Sequence, residues 1–202
     1  MKMGWFFRQV RFSVVAVALL LSGSASRALA QTDHDHSATG QQQEQTIDQK
    51  AKANALVKIV RQVTAGFQTP DTLPPEYQLV LGCVSGGDFG AMGLHFLNMS
   101  LVGDGEVDKY APEIVLYEPL PDGKMRITGV DYLVYAADWD HKHPEGPPQL
   151  EGQLFHLFES PNRFGLPAFY TLHVWAWKDN PSGTFANWNP KVRCDAFAGT
   201  NP

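Results

Sequence analysis

The sequence predicts an α+β fold, one amphipathic helix packed on a mainly antiparallel sheet, and three observations carry that expectation. A single helical pattern lies near position 50; a series of short apolar runs follows it; and Gly, Pro, Asn and Asp turns fill the gaps between those runs. No helix-length pattern separates the later runs. Parallel βαβ folds need one, so they are excluded, and the sheet is expected to twist and to be able to curl into a barrel-like cup.

The first thirty residues read as an address. Lys2, Arg8 and Arg11 make a positive start, the stretch from Phe12 to Leu21 is apolar but too short to span a bilayer, and Ala28-Leu29-Ala30 is an A-x-A cleavage site. Residues 1–30 are therefore expected to be a signal peptide, and the mature chain a periplasmic or secreted protein with no membrane attachment. The full chain carries a formal net charge of −5. Cleavage removes Lys2, Arg8, Arg11 and Arg27 and no acids, leaving about −9, a poor match for nucleic acid or an anionic membrane. Residues 31–45 are polar and rich in Gln, Asp and His, and are expected to be a disordered leader, with the Asp33-His34-Asp35-His36 stretch as solvated tail. The remainder, 46–202, is expected to be a single globular domain.

Residues 46–67 carry the helix. Thr46 and Gln49 form a capping box, and Ile47, Ala51, Ala55, Ile59 and Val63 recur every four residues, with Leu56, Val60 and Phe67 widening the apolar stripe. Gly66 is the expected stop, and the prolines at 70, 74 and 75 then forbid regular structure until about Tyr77. The expected strands are 78–84, 93–99, 113–118, 125–136, 152–158 and 169–177. Pro121-Asp122-Gly123 is a hairpin connection, which makes its two flanking strands antiparallel neighbours.

Three histidines sit inside those strands: His95 in GLHFLNM, His156 in GQLFHLF and His173 in YTLHVWAW. Glu118 ends a fourth run, IVLYE. Period-2 alternation puts each with apolar neighbours: His95 with Leu97, Glu118 with Leu116, His156 with Leu154 and Phe158, and His173 with Thr171, Trp175 and Trp177. Asp131, facing with Leu133 and Tyr135, is a fifth candidate, an inward acid in need of a partner. Neutral imidazoles with one carboxylate on rigid strands are the ligand set of a divalent transition metal. The expected centre is mononuclear, with His95, Glu118, His156 and His173 as ligands, Glu118 doubling as a general base, and Zn, Cu, Fe or Mn as the ion. His141 and His143 lie among charges and prolines and read as a solvated loop. A core histidine that donates to a backbone carbonyl is the bland alternative for each.

Export gives the two cysteines a meaning. Cys83 and Cys194 are the only pair in the chain, and in an oxidising compartment a lone pair is expected to form a disulfide. A competing function class comes from the aromatic residues of the C-terminal half, among them Trp139, Trp175, Trp177 and Trp188. These could stack on a sugar-like or apolar small molecule in a non-catalytic binding module. A third class is a structural protein without pocket chemistry. No nucleophile elbow surrounds a serine and no glycine-rich loop precedes a helix, so hydrolase and nucleotide readings fall away.

The motifs Gly90-Ala91-Met92-Gly93-Leu94-His95-Phe96, Glu113-Ile114-Val115-Leu116-Tyr117-Glu118-Pro119 and Leu172-His173-Val174-Trp175-Ala176-Trp177 resemble those of a family of exported bacterial proteins. The resemblance runs from about Ile47 to Cys194 and implies export. It implies no activity or catalytic residues.

Overall fold

A computed structural model describes residues 45–199, so the expected signal peptide and nearly all of the expected leader lie outside the described residues. Those described belong to one compact unit, Gln43–Pro202. Helix α1 spans Ile47–Val63 and starts at the expected capping box, in which Thr46 accepts from the Gln49 amide and the Gln49 side chain accepts from the Thr46 amide. It ends earlier than Gly66. The Thr64 hydroxyl donates to the Val60 carbonyl at 2.6 Å and so competes with the continuing helix.

The chain then builds β1 (Tyr77–Ser85), β2 (Ala91–Asn98), α2 (Met99–Val102), β3 (Ile114–Pro119), β4 (Met125–Tyr135), α3 (Ala136–Lys142), β5 (Gln149–Leu150), β6 (Gln153–Leu154), β7 (His156–Phe158) and β8 (Phe169–Val174). Six strands form one sheet in the order β1-β2-β3-β4-β8-β7, and every pairing is antiparallel. The sheet is open, with β1 and β7 as its edges, so it does not close into a barrel. Helix α3 was not anticipated, because the run Asp138 to Pro144 reads as loop by composition. Expected strand 152–158 is split: β6 pairs with β5 in a separate ribbon and β7 joins the main sheet. Expected strand 169–177 stops at Val174, because the Trp177 and Lys178 amides both turn onto the Thr128 carbonyl.

Alternation along the central strands separates two faces. Val130 and Tyr132 of β4, with Leu172 and Val174 of β8, meet Leu56 and Val60 of α1 in one buried cluster. Burying each of those two helix side chains is worth about 1.5–3 kcal/mol. Farther along the sheet, Leu94, Val115, Tyr117 and Ile127 form a second cluster around Cys83, joined by Phe67, Leu73 and Cys194. Cys83 and Cys194 are bonded, with Cα atoms 5.6 Å apart. The opposite face carries Leu97, Ile114, Leu116, Leu133 and Phe169, covered by Val102 of α2 and by Phe158, Phe164 and Leu166. Residues 159–168 are held over this face by Asn162, which donates to the Leu166 carbonyl, and by Arg163, which donates to the Ser85 carbonyl of β1.

Candidate metal centre

Three strands of the covered face contribute one polar side chain each: β2 gives His95, β4 gives Asp131 and β8 gives His173. Asp131 and His173 are direct cross-strand partners, and Asp131 also faces Ile114 of β3. His95 faces Leu116, two residues along β3 from Ile114, so β3 lies between it and the acid. The relative exposures of His95, Asp131 and His173 are 3%, 3% and 1%. One potential ligand atom from each lies within 4.8 Å of the others, a group that could hold a metal ion.

Local backbone fixes the first of these rings. His95 Nδ1 is 3.0 Å from the Gly93 carbonyl, which can only accept, so Nδ1 carries the proton and Nε2 keeps a free lone pair. Gly93 has φ of +95°, and a Cβ there would come within 2.4 Å of the Tyr117 carbonyl, so only glycine serves. This is also a bulge. One step on β1, Val84 to Ser85, matches the two steps from Gly93 to Ala91 on β2, leaving Met92 as the extra residue. Strict alternation would send Met92 to the face opposite His95; the bulge lets it line the same cavity.

Asp131 is oriented from one side by the Thr171 hydroxyl, which donates to Oδ1. His173 differs from both neighbours. Its Nδ1 lies 3.4 Å from Asp131 Oδ1 in no hydrogen-bonding geometry, and neither ring nitrogen has a hydrogen-bond partner although both are buried. Asn187 is near enough to favour the protonated ring, yet its own Oδ1 is buried without a bond. Leaving such groups unpaired costs about 1–3 kcal/mol each.

Burial governs the protonation of the group. It drives His95 down to about 4, with the facing His173 adding to the fall, and it drives His173 down to about 3. It pushes Asp131 up to about 7 against the pull of the Thr171 hydroxyl and of His95. Both imidazoles are thus neutral at pH 7, the form that ligates metals. The cavity beside them offers about 20 Å³ of room for the centre of a water-sized sphere, and its remaining walls are mostly aliphatic and phenyl side chains.

Two expected ligands are not in the group. The Glu118 carboxylate is buried with cations of its own: Arg126 Nε and Nη2 both donate to Oε1, and Lys178 Nζ donates to Oε2 at 2.5 Å. Its charge is compensated and both oxygens are engaged, apart from the His95, Asp131 and His173 group. Glu118 shares the parity of Leu116, but position in the strand decides, for it stands at the far end opposite Arg126. His156 is opposite Thr171 on edge strand β7 and is exposed, so it stands at the rim, where its charge bears on Asp131 and His173 without joining them. Asp131 supplies the carboxylate. Thr171 and Met92 complete the surroundings; the first was legible as the residue two before His173, whereas the second depended on the bulge.

Three of the tryptophans have their indole N–H groups engaged within the fold. Trp175 stacks beside His173 with ring centroids 6.1 Å apart and donates to the Ala186 carbonyl, whereas Trp177 turns away to donate to Thr64 Oγ1. Trp139 donates to the Gly146 carbonyl and carries the His143 ring on its face at 3.9 Å, so His143 is half-buried rather than a free loop residue.

No protein-family model matches this chain, and no curated protein or solved structure matches it at a significant level. Among the described residues, no helix is long and apolar enough to cross a membrane.

Proposed function

We propose that this is an exported protein that binds one divalent first-row transition ion through His95 Nε2, Asp131 and His173 Nδ1. One observation carries the reading: a buried histidine whose two ring nitrogens have no hydrogen-bond partner faces a buried carboxylate and a second neutral imidazole. A core histidine would be paired. Two imidazoles and one carboxylate suit Zn, Fe, Mn or Co better than Mg or Ca, and three protein ligands leave at least one coordination position for another group. With Nδ1 on the ion, the proton of His173 belongs on Nε2, and the Thr171 hydroxyl holds Asp131 in place by donating to Oδ1. The disulfide supports an oxidising location.

The competing reading, a sugar-like ligand held by clustered tryptophans, is less well supported. The Trp139, Trp175 and Trp177 indole N–H groups are engaged within the fold, and His143 occupies one face of Trp139.

The reading is tested on mature, untagged protein recovered from the periplasm. Metal content is measured by mass spectrometry and Co(II) is titrated into the chelator-treated chain. One equivalent in the wild type and loss in both H95A and H173A support the site. A wild type that carries no ion and takes up none on titration refutes it.

A further inference from the structure

We propose that the open coordination position of this centre takes a single small monoanion of the azide or cyanide class, with hydroxide as its solvent-derived member. The inference rests on the metal reading above and adds what the ion binds.

Charge points to an anion. A divalent ion with the Asp131 carboxylate and two neutral imidazoles leaves one net positive charge in a buried site. Among the described residues, Asp131 is the one carboxylate that lines the cavity. Glu118 is already matched by Arg126 and Lys178, and Glu113 accepts from the Leu133 amide and does not line the cavity. His156, at the rim, can only add positive charge. An uncompensated buried charge is unfavourable, and an anion bound directly to the ion offsets it.

Space limits its size. The 20 Å³ beside the three groups compares with about 10–15 Å³ needed for one water. The walls are packed aromatic rings: Phe158 and Phe169 stack with centroids 5.2 Å apart and an interplanar angle of 2°, and Phe164 meets Phe169 at 6.1 Å. Leu81, Met92 and Leu133 line the cavity as well and offer an anion no hydrogen-bond donor. Acetate, with four heavy atoms, asks for more of that room than a two- or three-atom anion.

The test uses the Co(II)-loaded full mature chain and follows the visible ligand-field bands. Azide is expected to shift them with one-to-one saturation, and acetate in large excess to leave them unchanged. In F164A, and in L166A as a second opening of the same wall, acetate is expected to bind while azide affinity moves by less than about tenfold. Stoichiometric Co(II) with no response to azide overturns the proposal and leaves the metal site standing, and so does acetate binding to the wild type as readily as azide. Failure to take up Co(II) removes both.

Discussion

His173 Nδ1 and Asp131 Oδ1 stand 3.4 Å apart on directly paired residues of two neighbouring strands, both buried, with no hydrogen bond between them. Two ligands on one tetrahedral ion at about 2.0–2.1 Å are separated by about 3.3–3.4 Å, and the observed spacing matches that value. With His95 Nδ1 committed to the Gly93 carbonyl, the second imidazole keeps its Nε2 lone pair free, and its ring lines the same cavity.

The centre and the Glu118 pair separate by mutation. D131N is expected to lower Co(II) affinity by at least tenfold, since a neutral amide replaces the anionic ligand, whereas E118Q is expected to leave it unchanged. E118Q instead leaves Arg126 and Lys178 without their counter-ion and is expected to cost about 1–3 kcal/mol in urea unfolding, the range for a part-buried charged hydrogen bond. Metal loss in E118Q would restore it as a ligand.

Glu113 sets a pH dependence of its own. It is buried, accepts from the Leu133 amide at 3.1 Å and has no cationic partner among its contacts, so burial raises it from 4.5 to about 8. The folded chain therefore holds a proton that the unfolded chain has released between those values, and wild-type stability falls as pH rises across that window. E113Q has no such proton. Its stability relative to wild type is expected to increase from pH 5 to pH 8, read from urea midpoints at each pH; a constant difference would show that the carboxyl titrates normally.

The two histidines act in the opposite sense in the metal-free chain. Their folded values near 4 and 3 lie below the ordinary 6.5, so each contributes stability that is present above about pH 6.5 and lost as pH falls toward 4. H173F removes one of these contributions. Its thermal midpoint, measured with chelator, is expected to fall less than that of wild type between pH 7 and pH 5, and an equal fall in both would contradict the burial of the imidazole.

Reduction of the Cys83–Cys194 bond, which closes a separation of 111 residues, is expected to cost about 4–5 kcal/mol on chain-entropy grounds. Thiol labelling of the denatured chain without reductant should find no reactive cysteine, and two labelled cysteines would refute the bridge.

The sheet, helix, hairpin and disulfide were legible because local signals agree with the fold: the capping box at Thr46 and Gln49, the Pro-Asp-Gly turn, alternation along β4 and β8, and a lone cysteine pair. The centre was legible in part. His95, His173 and Asp131 stood out as polar groups on apolar faces, but alternation gives the face and not the height along a strand. Alternation therefore ranks Glu118 as the carboxylate ligand ahead of Asp131, whereas the register places it opposite Arg126. His156 has the right face as well, yet its three-residue strand is a sheet edge, and edge position is a property of topology that no local pattern encodes. Met92 was hidden by the Gly93 bulge, which breaks the period on which the face assignment rests.

A crystal structure of the mature chain grown with Co(II), with data collected at the cobalt absorption edge, tests the central claim most directly. The expected result is one anomalous peak about 2.0–2.2 Å from His95 Nε2, His173 Nδ1 and an Asp131 oxygen, with Glu118 still bound to Arg126 and Lys178. A map with no peak in that cavity, or with His173 hydrogen-bonded to Asn187 and Asp131 around an ordered water, would contradict it.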